Sequence, residues 1–245
     1  MSIDTLGLRE QKKRETRQAI SDHATQLFLE RGFDRTTIAD IATAARVAKM
    51  TVTNYFSRKE DLALDHHEIF VAGLAEAVSG REPGESALGA VRRAYMAALE
   101  RRDPIIGFTR QDFARMIADS PTLVARLRDL HDQREEALAA QLATESIAPD
   151  SPHDAPLPGQ DKPQPGQNTP RSGQDALRPT GDQDCRLTAR AVAAQLAAAD
   201  RLLFRELQSR TLAGESDDTI AAALTESAQH VFDLLEPAIG DYARR

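Results

Sequence analysis

A chain of 245 residues has room for one large helical domain, or for a small domain followed by a larger one. Charged residues make up 28% and aromatics 4%, with no Trp and abundant Ala and Leu, which points to an all-α protein. The net charge of −7 hides an asymmetry. From Arg9 to Lys59, Lys and Arg outnumber Asp and Glu eleven to six, whereas from Glu60 onward they are outnumbered 31 to 20. A basic head on an acidic body lets the head neutralise phosphates while the body stays soluble, so the acidic pI of 5.4 does not exclude nucleic acid. The single cysteine, Cys185, excludes an internal disulfide and fits a reducing cytosol, so a cytoplasmic protein is expected. No apolar run approaches the roughly 18 residues of a membrane span, and the polar N-terminus does not read as a signal peptide.

The first helix is expected over Arg9–Arg31, with Ile20, Ala24, Leu27 and Phe28 on its apolar stripe and Gly32 as its stop. Ile38, Ile41, Ala42 and Ala45 follow the i, i+3, i+4, i+7 spacing of a second, short helix. Thr37 caps it, with Asp40 completing a near capping box. After Arg46, Val47 and Ala48 comes a third short helix that buries Val52 and Phe56. Two short helices joined by a tight turn form the helix-turn-helix unit, which sets its second helix in the DNA major groove. Ser57 and Glu60 make an S-x-x-E box for a fourth helix running from Lys59 to about Ser79. Gly80 and Pro83-Gly84 end it. Further helices are expected at Ser86–Arg102, Ile105–Ala118 and Pro121–Thr144, the last with Pro in its first turn.

Residues 148–184 hold 8 of the 12 prolines, no aromatic residue and almost no large apolar side chain, the composition of a disordered loop. Helical pattern resumes at Cys185–Leu212 and Asp217–Ala238, the second with Ile220, Leu224, Ala228, Val231 and Leu235 on one face. The expected organisation is therefore a head at 1–58, a helical region at 59–147, the Pro-rich loop at 148–184 and a closing helical pair at 185–245.

The run AISDHATQLFLERGFDRTTIADIATAARVAKMTVTNYFSRKEDL closely resembles the signature of the TetR family of regulators. Its anchors are F-x-x-x-G-F at Phe28–Phe33, T-T-x-x-x-I-A at Thr36–Ala42, the Thr53–Phe56 end of the recognition helix, and K-E-x-L at Lys59–Leu62. The match covers about a fifth of the chain with many anchors at fixed spacing. Two positions depart from the pattern. Arg46 stands where the family commonly has Gly, in a turn that favours φ > 0. Ala48 replaces the usual Ser or Thr cap, a loss of about 1 kcal/mol. The family's frequent recognition-helix Tyr is Thr53 here, so base preference does not carry over.

With Val52 and Phe56 inward, Met50, Thr51, Thr53 and Asn54 face outward and Lys49 leads the helix. Lys49 suits guanine O6 or N7, and the methyls of Met50 or Thr53 suit a thymine methyl. The resemblance makes Thr37, Thr51, Tyr55 and Lys59 phosphate contacts. Helix N-termini at Thr37 and Lys59 favour an anion independently. Lys12, Lys13, Arg14 and Arg17 form a basic arm suited to backbone or minor groove, or else a solvated helix face. For Tyr55 the alternative is half-buried packing.

The resemblance further implies a small-molecule pocket in the body and a homodimer through the last two helices. Pocket candidates are Phe70, Leu74, Tyr95, Met96, Leu99, Phe108, Phe113, Met116 and Leu127, residues that describe an ordinary core equally well. Dimer candidates are Ala194, Leu196, Ala197, Leu203, Phe204, Leu207, Ala228, Val231, Phe232 and Leu235, part of which would pack inside the monomer. Neither cofactor nor metal is expected: His66 and His67 point about 100° apart on a helix, and Cys185 has no partner. No G-x-S-x-G, phosphate loop or H-E-x-x-H occurs, so no enzyme signature is present. The reading is a ligand-responsive repressor that binds palindromic double-stranded DNA as a homodimer and is released by an apolar or amphipathic effector. The alternative is a helical small-molecule-binding protein or enzyme with a degenerate helix-turn-helix head.

Overall fold

A computed structural model describes residues 3–147 and 182–244, and these form ten α-helices with no strand among them. Most of the expected Pro-rich loop lies outside the described residues. In the head, α1 spans Ile3–Arg31, α2 Ile38–Ala44 and α3 Lys49–Tyr55. The body follows with α4 Lys59–Ala63, α5 His67–Ser79, α6 Ala87–Arg101, α7 Gln111–Asp119, α8 Pro121–Ile147, α9 Asp182–Ala213 and α10 Asp217–Ile239.

The head core is the expected one. Ile20, Ala24, Leu27 and Phe28 from α1 meet Phe33, Ile41, Ala42, Val52 and Phe56, all buried. Gly32, at φ +86, ends α1 with its amide on the Phe28 carbonyl at 2.9 Å. This core does not stop at residue 58. Leu62 and Ala63 of α4 and the fully buried Leu123 of α8 complete it, so the body supplies part of the surface on which the head folds.

Two expectations about the body are corrected. The fourth helix is not continuous: it breaks at Leu64–His66 between α4 and α5. Its cap is Arg58, with no side-chain hydrogen bond, rather than Ser57. Ser57 Oγ instead reaches the Asp61 carboxylate at 3.2 Å, and Asp61 is buried against Arg126 of α8 at 2.9 Å. The break is held from α1, where Arg17 donates to both the Asp65 carbonyl, at 3.3 Å, and its carboxylate. A partner 48 residues away leaves no trace in local periodicity.

Likewise, the helix expected from Ile105 is a single 3-10 turn, Pro104–Ile106, followed by a break at Gly107 before α7. Gly107 has φ +117, and a Cβ there would stand 3.2 Å from the Phe204 ring and 3.0 Å from Gln208 Nε2. Both backbone shape and close approach therefore require glycine. Gln208 Nε2 donates to the Gly107 carbonyl at 2.7 Å and pins the turn to α9.

The body core joins α5, α6, α8, α9 and α10 around Leu88, Leu99, Leu138, Leu142, Leu196, Leu224 and Phe232. It also holds charge. Arg134 of α8 and Asp200 of α9 are both buried, with Arg134 Nε 3.1 Å from the Asp200 carboxylate. Arg134 further donates to the Phe70 carbonyl and lies 4.5 Å above the Phe70 ring. Arg81, just past α5, pairs with Glu145 near the end of α8 at 2.6 Å.

Six of the ten dimer candidates, Leu196, Ala197, Leu203, Leu207, Ala228 and Phe232, are consumed inside the protomer, where α9 and α10 pack on the rest of the body. The outward surface of this pair carries other residues: Leu187, Leu202 and Leu234 are 64%, 55% and 66% exposed.

Candidate DNA-binding surface and interior cavity

The turn between α2 and α3 sets the direction of α3. Arg46 takes the left-handed conformation at φ +54. Its amide bonds the Thr43 carbonyl at 3.2 Å, and the Val47 amide bonds Ala42 at 2.9 Å. This 5→2 and 6→1 pair is a Schellman closure formed without glycine, so the side chain bears a left-handed penalty of about 1–2 kcal/mol. At the start of α3, Ala48 supplies no side-chain cap. Val52 and Phe56 nevertheless seat the helix on the core, fully buried.

The opposite face of α3 is free. Lys49, Met50, Thr53 and Asn54 are exposed, Met50 by 69%, while Thr51 and Tyr55 are half-buried at the edges. Thr53 Oγ1 is turned back onto the Met50 carbonyl at 3.1 Å, which leaves its methyl outward. Lys12, Lys13 and Arg14 on α1 and Arg46 in the turn are also exposed, and none of these, nor Lys49, forms a salt bridge among the described residues. The result is an apolar-and-amide helix face beside unpaired cations, the chemistry of a base-reading helix flanked by phosphate contacts.

Three residues assigned to DNA from the sequence have other occupations. Arg17 is turned inward: besides Asp65, its guanidinium reaches the Tyr55 carbonyl at 3.2 Å and covers the Phe56 ring at 4.4 Å. Lys59 Nζ donates to the carbonyls of Phe33 at 2.9 Å and Thr36 at 3.1 Å and sits 4.1 Å above the Phe33 ring. Thr37 caps α2 in a full capping box, and its amide bonds the Asp40 carboxylate at 2.9 Å. The Thr37 hydroxyl and amide hold the Asp40 carboxyl below the usual carboxylate range, which keeps a negative charge at the α2 N-terminus. Sequence reasoning missed the long-range partners of Arg17 and Lys59 because both acceptors are backbone or lie across the head.

In the body a partly open cavity of about 150 Å³ lies between the α4–α5 break, the Pro104–Gly107 turn and helices α7 to α9. Phe70, Phe108, Phe113 and Leu127 line it, as do His66, His67, Ile105 and Phe204. The other pocket candidates go elsewhere. Leu74 and Tyr95 face a separate cavity of about 230 Å³ beside Arg134 and Asp200, and the buried Tyr95 hydroxyl has no hydrogen-bond partner among the described residues. Burial, then the Asp200 charge, pushes that phenol upward from its ordinary value. Leu99 and Met96 belong to the body core, and Met116 packs against the head core. His131, stacked edge-on to Phe70 and Phe204 with centroids at 5.0 and 5.1 Å, is held down to about 4 by burial and then by Arg201, Arg134 and Arg205.

A three-helix basic head with one exposed helix face, set on a helical body with a partly open aromatic cavity, has the architecture of a helix-turn-helix unit joined to a larger helical body. Among known families, residues 20–65 match the model described as "Bacterial regulatory proteins, tetR family". Among curated proteins the chain is similar to the HTH-type transcriptional regulator TcmR of Streptomyces glaucescens, 32% identical over 142 residues. That alignment covers 56% of this chain and 63% of the relative. Similar solved structures include a TetR-family regulator from Streptomyces coelicolor A3, at 22% identity, with 89% of this chain and 94% of that one covered and a TM-score of 0.43. Another is NalD, the secondary repressor of the MexAB-OprM multidrug efflux pump in Pseudomonas aeruginosa, at 17% identity, 90% and 97% coverage and TM-score 0.43.

Proposed function

We propose that this chain is a DNA-binding transcriptional regulator that works as a homodimeric, ligand-released repressor on palindromic operator DNA. The observation that carries the reading is the free face of α3, where Lys49, Met50, Thr53 and Asn54 stand exposed beside the unpaired cations of α1. Lys49 and Asn54 are the base readers, and Lys13, Arg14 and Thr51 contact the backbone. Arg17 and Lys59 act as positioning residues, since their charges already hold the head to α4 and to the Asp65 break. Tyr55 packs at the edge of the head and presents its hydroxyl to the backbone.

Dimerisation uses the outer surface of α9 and α10. Leu187, Ala191, Ala198 and Leu202 recur at helical spacing on α9, and Leu234 stands on α10. One head contacts too few bases for specificity, whereas two heads about one helical turn apart read a palindrome. The effector occupies the aromatic cavity. Because that cavity abuts the α4–α5 break, and Arg17 ties the break to α1, a ligand that favours one setting of Leu64–His67 favours one setting of the heads.

Selection of DNA fragments by the purified protein, followed by sequencing, tests the first element. The reading expects one enriched inverted repeat. Uniform recovery of all sequences contradicts it. Light scattering tests the second, with a dimer expected for the native chain and a monomer for Leu202→Glu with Leu234→Glu.

A further inference from the structure

Beside the aromatic cavity, between α7, α8 and α9, lies a larger groove of about 600 Å³. Its floor is apolar, with Ile117, Val124, Leu127, Phe204 and Leu212. Its polar rim is cationic: Arg128, Arg201 and Arg205 line it and no carboxylate does. Several surface arginines of this acidic body take carboxylate partners, as in Arg92–Asp233, Arg93–Glu85, Arg102–Asp218 and Arg210–Glu206, while others, such as Arg190, stand alone among the described residues. Arg201 is paired, with Asp132 at 3.3 Å and Glu135 at 3.4 Å. Arg128 and Arg205 are exposed, and neither has an ion-pair partner among the described residues. The two unpaired guanidinium groups thus flank the same apolar groove.

The groove and the cavity share a wall one side chain thick, since Ile117, Leu127, Phe204 and Gln208 line both. At about 150 Å³ the cavity alone is smaller than the roughly 300–1,000 Å³ of most ligand sites, and the groove supplies the missing space. His131 lines the groove and stays neutral near pH 7, held down by burial and then by the neighbouring arginines, so it offers a hydrogen bond without adding charge.

We propose that the groove and cavity form one site for an amphipathic organic anion, with its apolar body against Phe204 and Leu127 and its acidic group on Arg128 and Arg205. This deepens, and rests on, the reading of the cavity as the effector site. Guanidinium groups favour planar, bidentate acids, and the apolar floor provides contact area that a hydrophilic anion would waste. Because the rim is open to solvent, the charges act mainly through selectivity and salt dependence.

Fluorescence titration of the full chain with 8-anilinonaphthalene-1-sulfonate and with the neutral N-phenyl-1-naphthylamine, which shares its ring skeleton, tests the proposal. The anion is expected to bind about tenfold more tightly or better, and more weakly as salt rises. Arg128→Ala with Arg205→Ala is expected to remove that preference and to leave the neutral probe within about twofold, while the paired Lys variants retain part of it. Circular dichroism checks that both double variants fold, as exposed substitutions should. Equal binding of the two probes, or an unchanged preference in the alanine variant, overturns the proposal. The same titration on a DNA complex separates the two readings. Anion binding with this pattern but without DNA release supports the site and contradicts the cavity's regulatory role alone.

Discussion

Head and body hold themselves together by opposite means. The head closes over apolar residues, and most of its polar ties end on its own backbone: Thr37 and Asp40 cap α2, Lys59 donates to the Phe33 and Thr36 carbonyls, and Arg17 donates to the Tyr55 carbonyl besides pairing with Asp65. The body buries ion pairs that span the chain, Arg134 with Asp200 across 66 residues and Arg81 with Glu145 across 64. A body fastened by buried charge is specific in its packing yet sensitive to any group that competes for those charges. The two meet at Asp61–Arg126 and at Leu123, where α8 enters the head core.

The largest expected effect breaks the body's side of this comparison. Asp200→Ala strands a buried guanidinium and is expected to cost about 3–5 kcal/mol in denaturant unfolding. A loss under about 1 kcal/mol, the range of surface pairs, would show that the pair is solvated. Next in size, Leu123→Ala is expected to cost about 2–5 kcal/mol. Hydrogen exchange tells where: protection should fall in α1 and α4 as well as α8, and a loss confined to α8 would detach the head core from the body.

Acidification probes the buried charges again. His131 binds its proton less readily folded than unfolded, so its contribution to stability is full above pH 6.5 and is lost as pH falls toward about 4. Asp200, whose carboxyl is pushed up by burial despite Arg134, works in the opposite sense. The measurement is therefore the difference between the native chain and His131→Leu. The variant should show the flatter melting temperature against pH between 6.5 and 4, and parallel curves would remove His131 from the account.

The smallest effects refine the head. Arg46→Gly is expected to add about 1 kcal/mol by relieving the left-handed turn, and Ala48→Ser a similar amount by capping α3. Thermal unfolding measures both, and a destabilised Arg46→Gly would mean that the side chain contributes more than its backbone costs.

These differences also explain what could be read from the chain itself. Ile20, Phe28, Ile41, Val52 and Phe56 were legible as core because helical spacing alone exposes them, and Arg46 stood out because the resembled family commonly has Gly in that turn. The α4–α5 break, the Gly107 turn and the inward course of Arg17 and Lys59 were not, since each depends on a partner 23 or more residues away. Among pocket residues, size and apolarity could not separate Phe70 and Phe113, which line the cavity, from Leu99 and Met96, which fill the core. Phe204 shows the same ambiguity, its pattern suiting a dimer face while the fold turns it to the cavity.

The central claim is that the exposed face of α3 reads DNA. Fluorescence anisotropy with a duplex from the chain's own upstream region, titrated across salt concentration, tests it most directly. Tight, sequence-selective binding is expected, with selectivity lost in Lys49→Ala with Asn54→Ala. Lys13→Ala should reduce the salt slope by about one phosphate's worth on any sequence. Weak binding at physiological salt that is indifferent to sequence and unchanged by the α3 substitutions would contradict the account.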